Sequence, residues 1–200
     1  MASVLLKLGP ADHDRALSLD DFDTAEFEPG FRYEIIDGRL YVSEEPDPTE
    51  NALELWLFEK LWDYSRVDES ALNHVTNKGR VFVHSREHGT VPEPDIAAFA
   101  DYPLDRRLKG IKWSDVSPVL VCELLMDNPE KDLERNVELY LQVPSIKEYW
   151  VLDGRDNPEK PVLIQHRRHG KRWVIRSFPY GSTLTTKLLP DFSLLIDPLK

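Results

Sequence analysis

Cysteine is nearly absent from this 200-residue chain. Cys122 stands alone, which excludes an internal disulfide framework and fits a reducing compartment. Long apolar runs are also missing. No stretch is long enough to span a bilayer, and the opening Met1-Ala-Ser-Val-Leu-Leu-Lys-Leu lacks the charged start and extended apolar core of a secretory signal. The expectation is a cytoplasmic protein with no membrane contact. Positive charge is the third shortage: 25 Lys and Arg face 36 Asp and Glu, a net charge of -11. That balance counts against the basic footprint with which proteins bind phosphate backbones. Two local clusters qualify it, one of Arg106, Arg107, Lys109 and Lys112, the other of Arg167, Arg168, Lys171 and Arg172. Such runs usually lie in solvated loops.

What is present is enough apolar residue, 41% of the chain, to bury one sizeable core. The expectation is a single domain over residues 1–200, with a lead-in segment over 1–27 and a core over 28–200. Alternating patterns indicate mixed α/β architecture. Ser18 is placed to cap a short helix over Leu19–Phe27. Arg32–Ile36 and Arg39–Ser43 flank Asp37-Gly38, whose tolerance of positive φ suits the tight turn of a hairpin. Asp47, Pro48 and Glu50 form a helix-start signature, and Leu53, Trp56, Leu57, Leu61 and Tyr64 recur at helical spacing to about Ser65. Strands are predicted over Gly79–His84, Pro94–Ala100, Val119–Leu125 and Glu148–Asp153. A helix is predicted over Glu130–Gln142 with Leu133, Val137, Tyr140 and Leu141 inward. Pro161–Gln165 and Arg172–Phe178 bracket a hairpin turn, with His166 and His169 at the surface, and the tail from Thr183 to Leu199 adds short strand pieces.

Glu123 is the most informative residue. Val119-Leu-Val-Cys-Glu-Leu-Leu is apolar on both faces except there, which marks a central, doubly covered strand. A carboxylate buried in such a strand costs several kcal/mol unless an Arg, a backbone donor or a metal ion compensates it. Asp95, at the start of another apolar strand, is a second carboxylate of the same kind. Two such acids with a backbone carbonyl beside them suit a hard divalent cation such as Mg²⁺, and they equally suit a structural ion pair.

In order along the chain, Tyr33-Glu34-Ile-Ile-Asp37-Gly38, Pro94-Asp95-Ile96, Glu123-Leu-Leu, Asp132, Tyr140 and Glu148-Tyr149-Trp150 resemble the Uma-type restriction-endonuclease-like family, a branch of the PD-(D/E)xK nuclease superfamily. The resemblance runs from about Phe31 to Asp197. It implies a restriction-endonuclease-like α/β fold, a central mixed β-sheet flanked by helices with extra β-hairpins. It also implies a Mg²⁺ site, open to Mn²⁺, held by Asp95, Glu123 and the carbonyl of Leu124, with Glu34 at the rim. The implied substrate is DNA, and the superfamily analogy adds a homodimer.

The superfamily's lysine, however, would fall on Leu125, and the helix lysine of the Uma-type branch would fall on Asn136. Asn136 lies on the inward stripe of its helix and so points towards the sheet. It can orient a water or phosphate but supplies no positive charge. Lys131 and Arg135 are nearby in sequence and either can swing in, though long cations at such positions are usually solvated. The turn after Glu123 also departs from the family, reading Met126-Asp127-Asn128-Pro129. Two functions follow: a Mg²⁺-dependent endonuclease acting on DNA with Asp95, Glu123 and Asn136 at its centre, or a catalytically inactive relative binding nucleic acid or a protein partner. His84-Ser-Arg-Glu87-His88 matches an inverted zinc-peptidase string, but that chemistry needs both histidines on one helix face, and Gly89 to Pro92 leave no room for a helix. Trp150 is expected in the core, and Cys122, on the strand face opposite Glu123, as a buried inert thiol.

Overall fold

The structure is a computed structural model describing residues 5–77, 79–104 and 110–200. The basic cluster at Arg106, Arg107 and Lys109 lies outside the described residues. A short strand β1 (Lys7–Leu8) is followed by helix α1 (Leu19–Thr24) and strand β2 (Glu26–Phe27), which pairs in parallel with β1. Ser18 Oγ accepts the N–H of Asp21 at 3.1 Å and starts α1. The helix ends at Thr24, before the predicted Phe27, because Glu26 and Phe27 are drawn into pairing with β1. Strands β3 (Phe31–Ile36) and β4 (Arg39–Glu44) form the predicted hairpin, with φ of 49° at Asp37 and 75° at Gly38. Both values are positive, as a type I′ turn demands. Helix α2 (Pro48–Val67) begins with a capping box. Asp47 Oδ1 accepts the N–H groups of Thr49 and Glu50, while Glu50 Oε2 accepts that of Asp47.

The central sheet holds β5 (His74–Thr76), β6 (Ile96–Phe99), β7 (Leu120–Leu125), β8 (Glu148–Asp153), β9 (Val162–His169) and β10 (Arg172–Phe178). Their spatial order is β10-β9-β8-β7-β6-β5. Only β7 and β8 run parallel among these neighbours. Strand β7 is therefore interior, as its doubly apolar pattern predicts. Leu120 and Cys122 pack with Leu57, Trp150 and Leu152 on one side, the side that also receives the C-terminal hairpin of β11 (Thr183–Thr185) and β12 (Ser193–Leu195). Val121 and Leu125 pack with Leu139, Tyr140 and Tyr149 on the other.

Three expectations are corrected. Gly79–His84 joins no sheet: the N–H groups of Val81 and Val83 donate to the carbonyls of Pro92 and Thr90, but Pro92 and Pro94 have no N–H with which to continue a ladder, and β5 takes the place beside β6. The chain then turns through residues 84–88, so the His84–His88 string has no helix to carry it. His166 is buried, 3% exposed. Strand β9 runs on past Gln165 to His169, which sets His166 inside the ladder opposite Tyr149, with the two rings stacked 5.1 Å apart. Finally, Arg168 is no solvated loop cation. It donates to the carbonyls of Tyr140, Leu141, Val143 and Ile146 at 2.9, 3.0, 2.9 and 2.5 Å.

Because β7 and β8 are parallel, a crossover must join them. It consists of a π-turn over Lys131–Arg135 running into α3 (Asn136–Leu141), where one continuous helix was predicted. The extra residue of the π-turn rotates the register. The buried positions are Asp132, Asn136, Leu139 and Tyr140, while Leu133 and Val137 are only partly buried. No helix among the described residues is long and apolar enough to cross a membrane.

Candidate active site

The sheet register decides which acids meet. Strands β6 and β7 are antiparallel, and their last pair is Ile96 with Cys122. Asp95 stands one residue before β6 and outside its ladder, at the end of β7 that holds Glu123 and Leu124. There the N–H of Leu124 turns to the carboxylate, donating to Asp95 Oδ2 at 2.6 Å. In an antiparallel ladder a residue's N–H and C=O point to the same neighbour, so the Leu124 carbonyl faces the same side as Asp95. The carboxyl end of β7 thus gathers Asp95, Glu123 and the Leu124 main chain.

Glu123 is fully buried. Its Oε1 accepts hydrogen bonds from Asn136 Nδ2 at 2.9 Å and Tyr140 OH at 2.7 Å. Its Oε2 has no hydrogen-bond donor among the described residues and lies 3.7 Å from Lys131 Nζ. Burial pushes the Glu123 carboxyl well above its ordinary range; Lys131 opposes this, and the charges of Asp132, Asp95 and Glu34 add to it. Asp132, whose Oδ1 accepts from Asn136 Nδ2 at 3.3 Å, is pushed up to about 7 by burial, with Lys131 again opposing. Asn136, also fully buried, is the amide that joins the two acids.

Two functional-looking residues lay outside the sequence reading. Arg32 of β3 ion-pairs with Asp95 Oδ1 and also donates to Glu54 Oε2 at 3.0 Å. Glu54 of α2 is 3% exposed and receives a second bond from Asn77 Nδ2 at 3.1 Å. Burial raises the Glu54 pKa and Asp95 adds to it, against Arg32. A signal for Glu54 existed: it shares the i, i+3, i+7 face of Leu57 and Leu61, so it is a carboxylate on the buried stripe. Glu34 is buried as well. Its carboxylate takes Arg135 Nη2 at 2.8 Å and the N–H of Glu93 at 3.0 Å. Burial raises its pKa, but Lys131, Arg135 and the Glu93 N–H outweigh that and hold it below its ordinary value. Of the two alternatives open for Lys131 and Arg135, solvent or site, both take the second and turn inward, with side chains 23% exposed.

Asp95, Leu124, Lys131 and Asp132 open onto a cleft of about 380 Å³ between β4, α2 and the π-turn. Glu123 sits behind them, and Glu34 and Asn136 are not part of the wall. Among the described residues, eight acids line the cleft (Glu44, Glu45, Asp47, Glu50, Glu54, Asp95, Asp127 and Asp132) against two cations, Arg32 and Lys131. Among the described residues no set of three or more His, Cys, Asp and Glu side chains is placed to hold a metal. The candidate ligand set is two carboxylates and a carbonyl. The bare, buried Oε2 of Glu123 fits a hard cation, since a carboxylate oxygen in that state has lost water and gained no donor.

No curated protein matches the chain. Among solved structures it is similar to a protein from Anabaena variabilis described as a putative nuclease of the DUF820 family, with a TM-score of 0.67 at 15% identity, covering 90% of this chain and 95% of that one. At that identity the likeness concerns the fold, a mixed sheet flanked by helices. The profile of the Uma2 family, described as "Putative restriction endonuclease", matches residues 19–197. Nearly the whole chain is matched, from α1 through the six-stranded sheet and the acids at its centre to the last hairpin: this protein belongs to the Uma2 family.

Proposed function

We propose that the chain is a Mg²⁺-dependent endonuclease that hydrolyses phosphodiester bonds of DNA, with Mn²⁺ able to replace Mg²⁺. The observation that carries this reading is the meeting of Asp95 and Glu123 at the end of β7, where Asp95 accepts the Leu124 N–H and Glu123 Oε2 is buried without a donor among the described residues. Asp95, Glu123 Oε2 and the Leu124 carbonyl would hold the ion. Mg²⁺ in such a site lowers the pKa of a bound water and offsets charge developing on a phosphate. The chain's own residues do the positioning. Asn136 and Tyr140 saturate Oε1 of Glu123 and leave Oε2 for a ligand. Arg32 ties Asp95 to Glu54 and so docks β3 and α2 against the site.

Calorimetric titration of Mg²⁺ and Mn²⁺, run beside plasmid nicking, tests the reading. Asp95→Ala and Glu123→Ala are each expected to abolish detectable binding and to lower nicking by at least about 100-fold. A parent protein that binds neither ion sinks it. The excess of acids over cations in the cleft favours a second reading, a catalytically inactive member that binds a partner. Metal binding with no cleavage by the parent would select that reading.

A further inference from the structure

The amide of Asn136 brings no charge to the site, and the π-turn before it brings a cation instead. In an α-helix, residues five apart are separated by about 140° around the axis, so Lys131 and Asn136 would face different ways. Here the N–H of Asn136 bonds to the carbonyl of Lys131, the i to i−5 link of a π-turn, and this brings the two residues to one side of the helix. Lys131 Nζ consequently reaches 3.7 Å from Glu123 Oε2 and 3.9 Å from Asp132 Oδ1, and the side chain lines the cleft beside Asp95 and Leu124.

Among the described residues, two other cations are close, and both are committed. Arg32 is held by Asp95 and Glu54. Arg135 donates through Nε to Asn136 Oδ1 at 3.0 Å and through Nη2 to Glu34 at 2.8 Å. The Lys131 contacts are longer than hydrogen bonds, so neither carboxylate engages its N–H donors. Its ammonium is a charged group set beside the Glu123 and Asp132 carboxylates at the cleft wall.

We propose that Lys131, carried into the cleft by the π-turn, is the catalytic cation that contacts the scissile phosphate, in the place where Asn136 supplies no charge. The assignment rests on the nuclease reading above. Its rival is a purely structural lysine that neutralises the buried acids.

The test uses Lys131→Cys and its aminoethylated form, which rebuilds a lysine-like side chain; Cys122 is buried and shielded in the folded protein. Three quantities are read: single-turnover cleavage in Mg²⁺, Mn²⁺ affinity by calorimetry, and thermal unfolding. Removing a preorganised charge of this kind lowers rate by about 10²–10³-fold. We expect Lys131→Cys to lose cleavage on that scale, to bind Mn²⁺ at least as tightly as the parent because a competing cation is gone, and to regain cleavage to within about fivefold on aminoethylation. Cleavage by Lys131→Cys within about threefold of an active parent overturns the assignment and leaves the nuclease reading standing. Joint loss of cleavage and Mn²⁺ binding without rescue also overturns it, in favour of the structural role. A parent that binds Mn²⁺ and never cleaves overturns both.

Discussion

Glu123 has one oxygen saturated and the other bare, an asymmetry set by two side chains of α3. Losing a hydrogen bond to a charged group costs about 1.5–3 kcal/mol. Tyr140→Phe removes one such donor without changing the ring that packs on Tyr149. It is therefore expected to weaken Mn²⁺ affinity by about tenfold or more, with the fold intact by circular dichroism; unchanged affinity would mean that Tyr140 does not position the acid. His166 offers a second residue-scale prediction. Burial lowers its pKa from 6.5, against a hydrogen bond that the ring donates to the Tyr149 backbone, and its Nδ1 has no hydrogen-bond partner among the described residues. Below its ordinary pKa the unfolded chain takes up a proton that the folded chain refuses. Stability contributed by neutral His166 is thus present above pH 6.5 and is lost as pH falls towards the depressed value. The melting temperature should drop between about pH 7 and pH 5, and should drop less in His166→Gln, measured by thermal scans across that range.

Among the elements, the β7–α3–β8 crossover carries most of the site, and it depends on a cation that the sequence places in a loop. Arg168 of β9 gathers four carbonyls at and beyond the end of α3, where intrahelical donors run out; those of Tyr140 and Val143 also accept the N–H groups of Val143 and Ile146. Arg168→Ala removes four charge-assisted hydrogen bonds from these carbonyls, and urea unfolding should show a loss of about 2–4 kcal/mol. A loss under about 0.5 kcal/mol, the scale of ordinary surface substitutions, would contradict this role. The basic run from Arg167 to Arg172 therefore cannot be treated as one phosphate-binding patch, since Arg168 faces the protein. Helix α2 and the β3–β4 hairpin follow local rules, through a capping box and an Asp-Gly turn, and both were legible residue by residue. The π-turn was not, because a 3.6-residue periodicity reads straight through an inserted residue.

Over the whole molecule, charge sets the terms on which a polyanion could approach. The chain carries a net charge of -11, and the cleft itself is lined mostly by acids. Phosphates gain little there until divalent cations screen or bridge the carboxylates. Fluorescence anisotropy with a DNA duplex is expected to show binding in Ca²⁺ at least about tenfold tighter than in EDTA, with Glu45→Gln/Glu50→Gln narrowing the gap. Equal affinity in the two conditions would place the DNA contact elsewhere.

From residue order alone came the class of fold, the hairpin, the capped helix, the interior strand and the anomaly of Glu123. Each is written in local periodicity, turn chemistry or the cost of burying a charge. Asp95 and Glu123 were legible as candidates for the same reason: both interrupt apolar strands. What only the tertiary structure decided is which groups surround them. Antiparallel pairing of β6 with β7 carried Asp95 to the end of β7 that holds Glu123, while packing of β3 and α2 brought Arg32 and Glu54 to Asp95. One extra residue in a helical turn moved Lys131 from a usually solvated position to a buried carboxylate. Register, interelement packing and helical phase are settled by contacts between residues far apart in the chain, and local pattern carries no record of them.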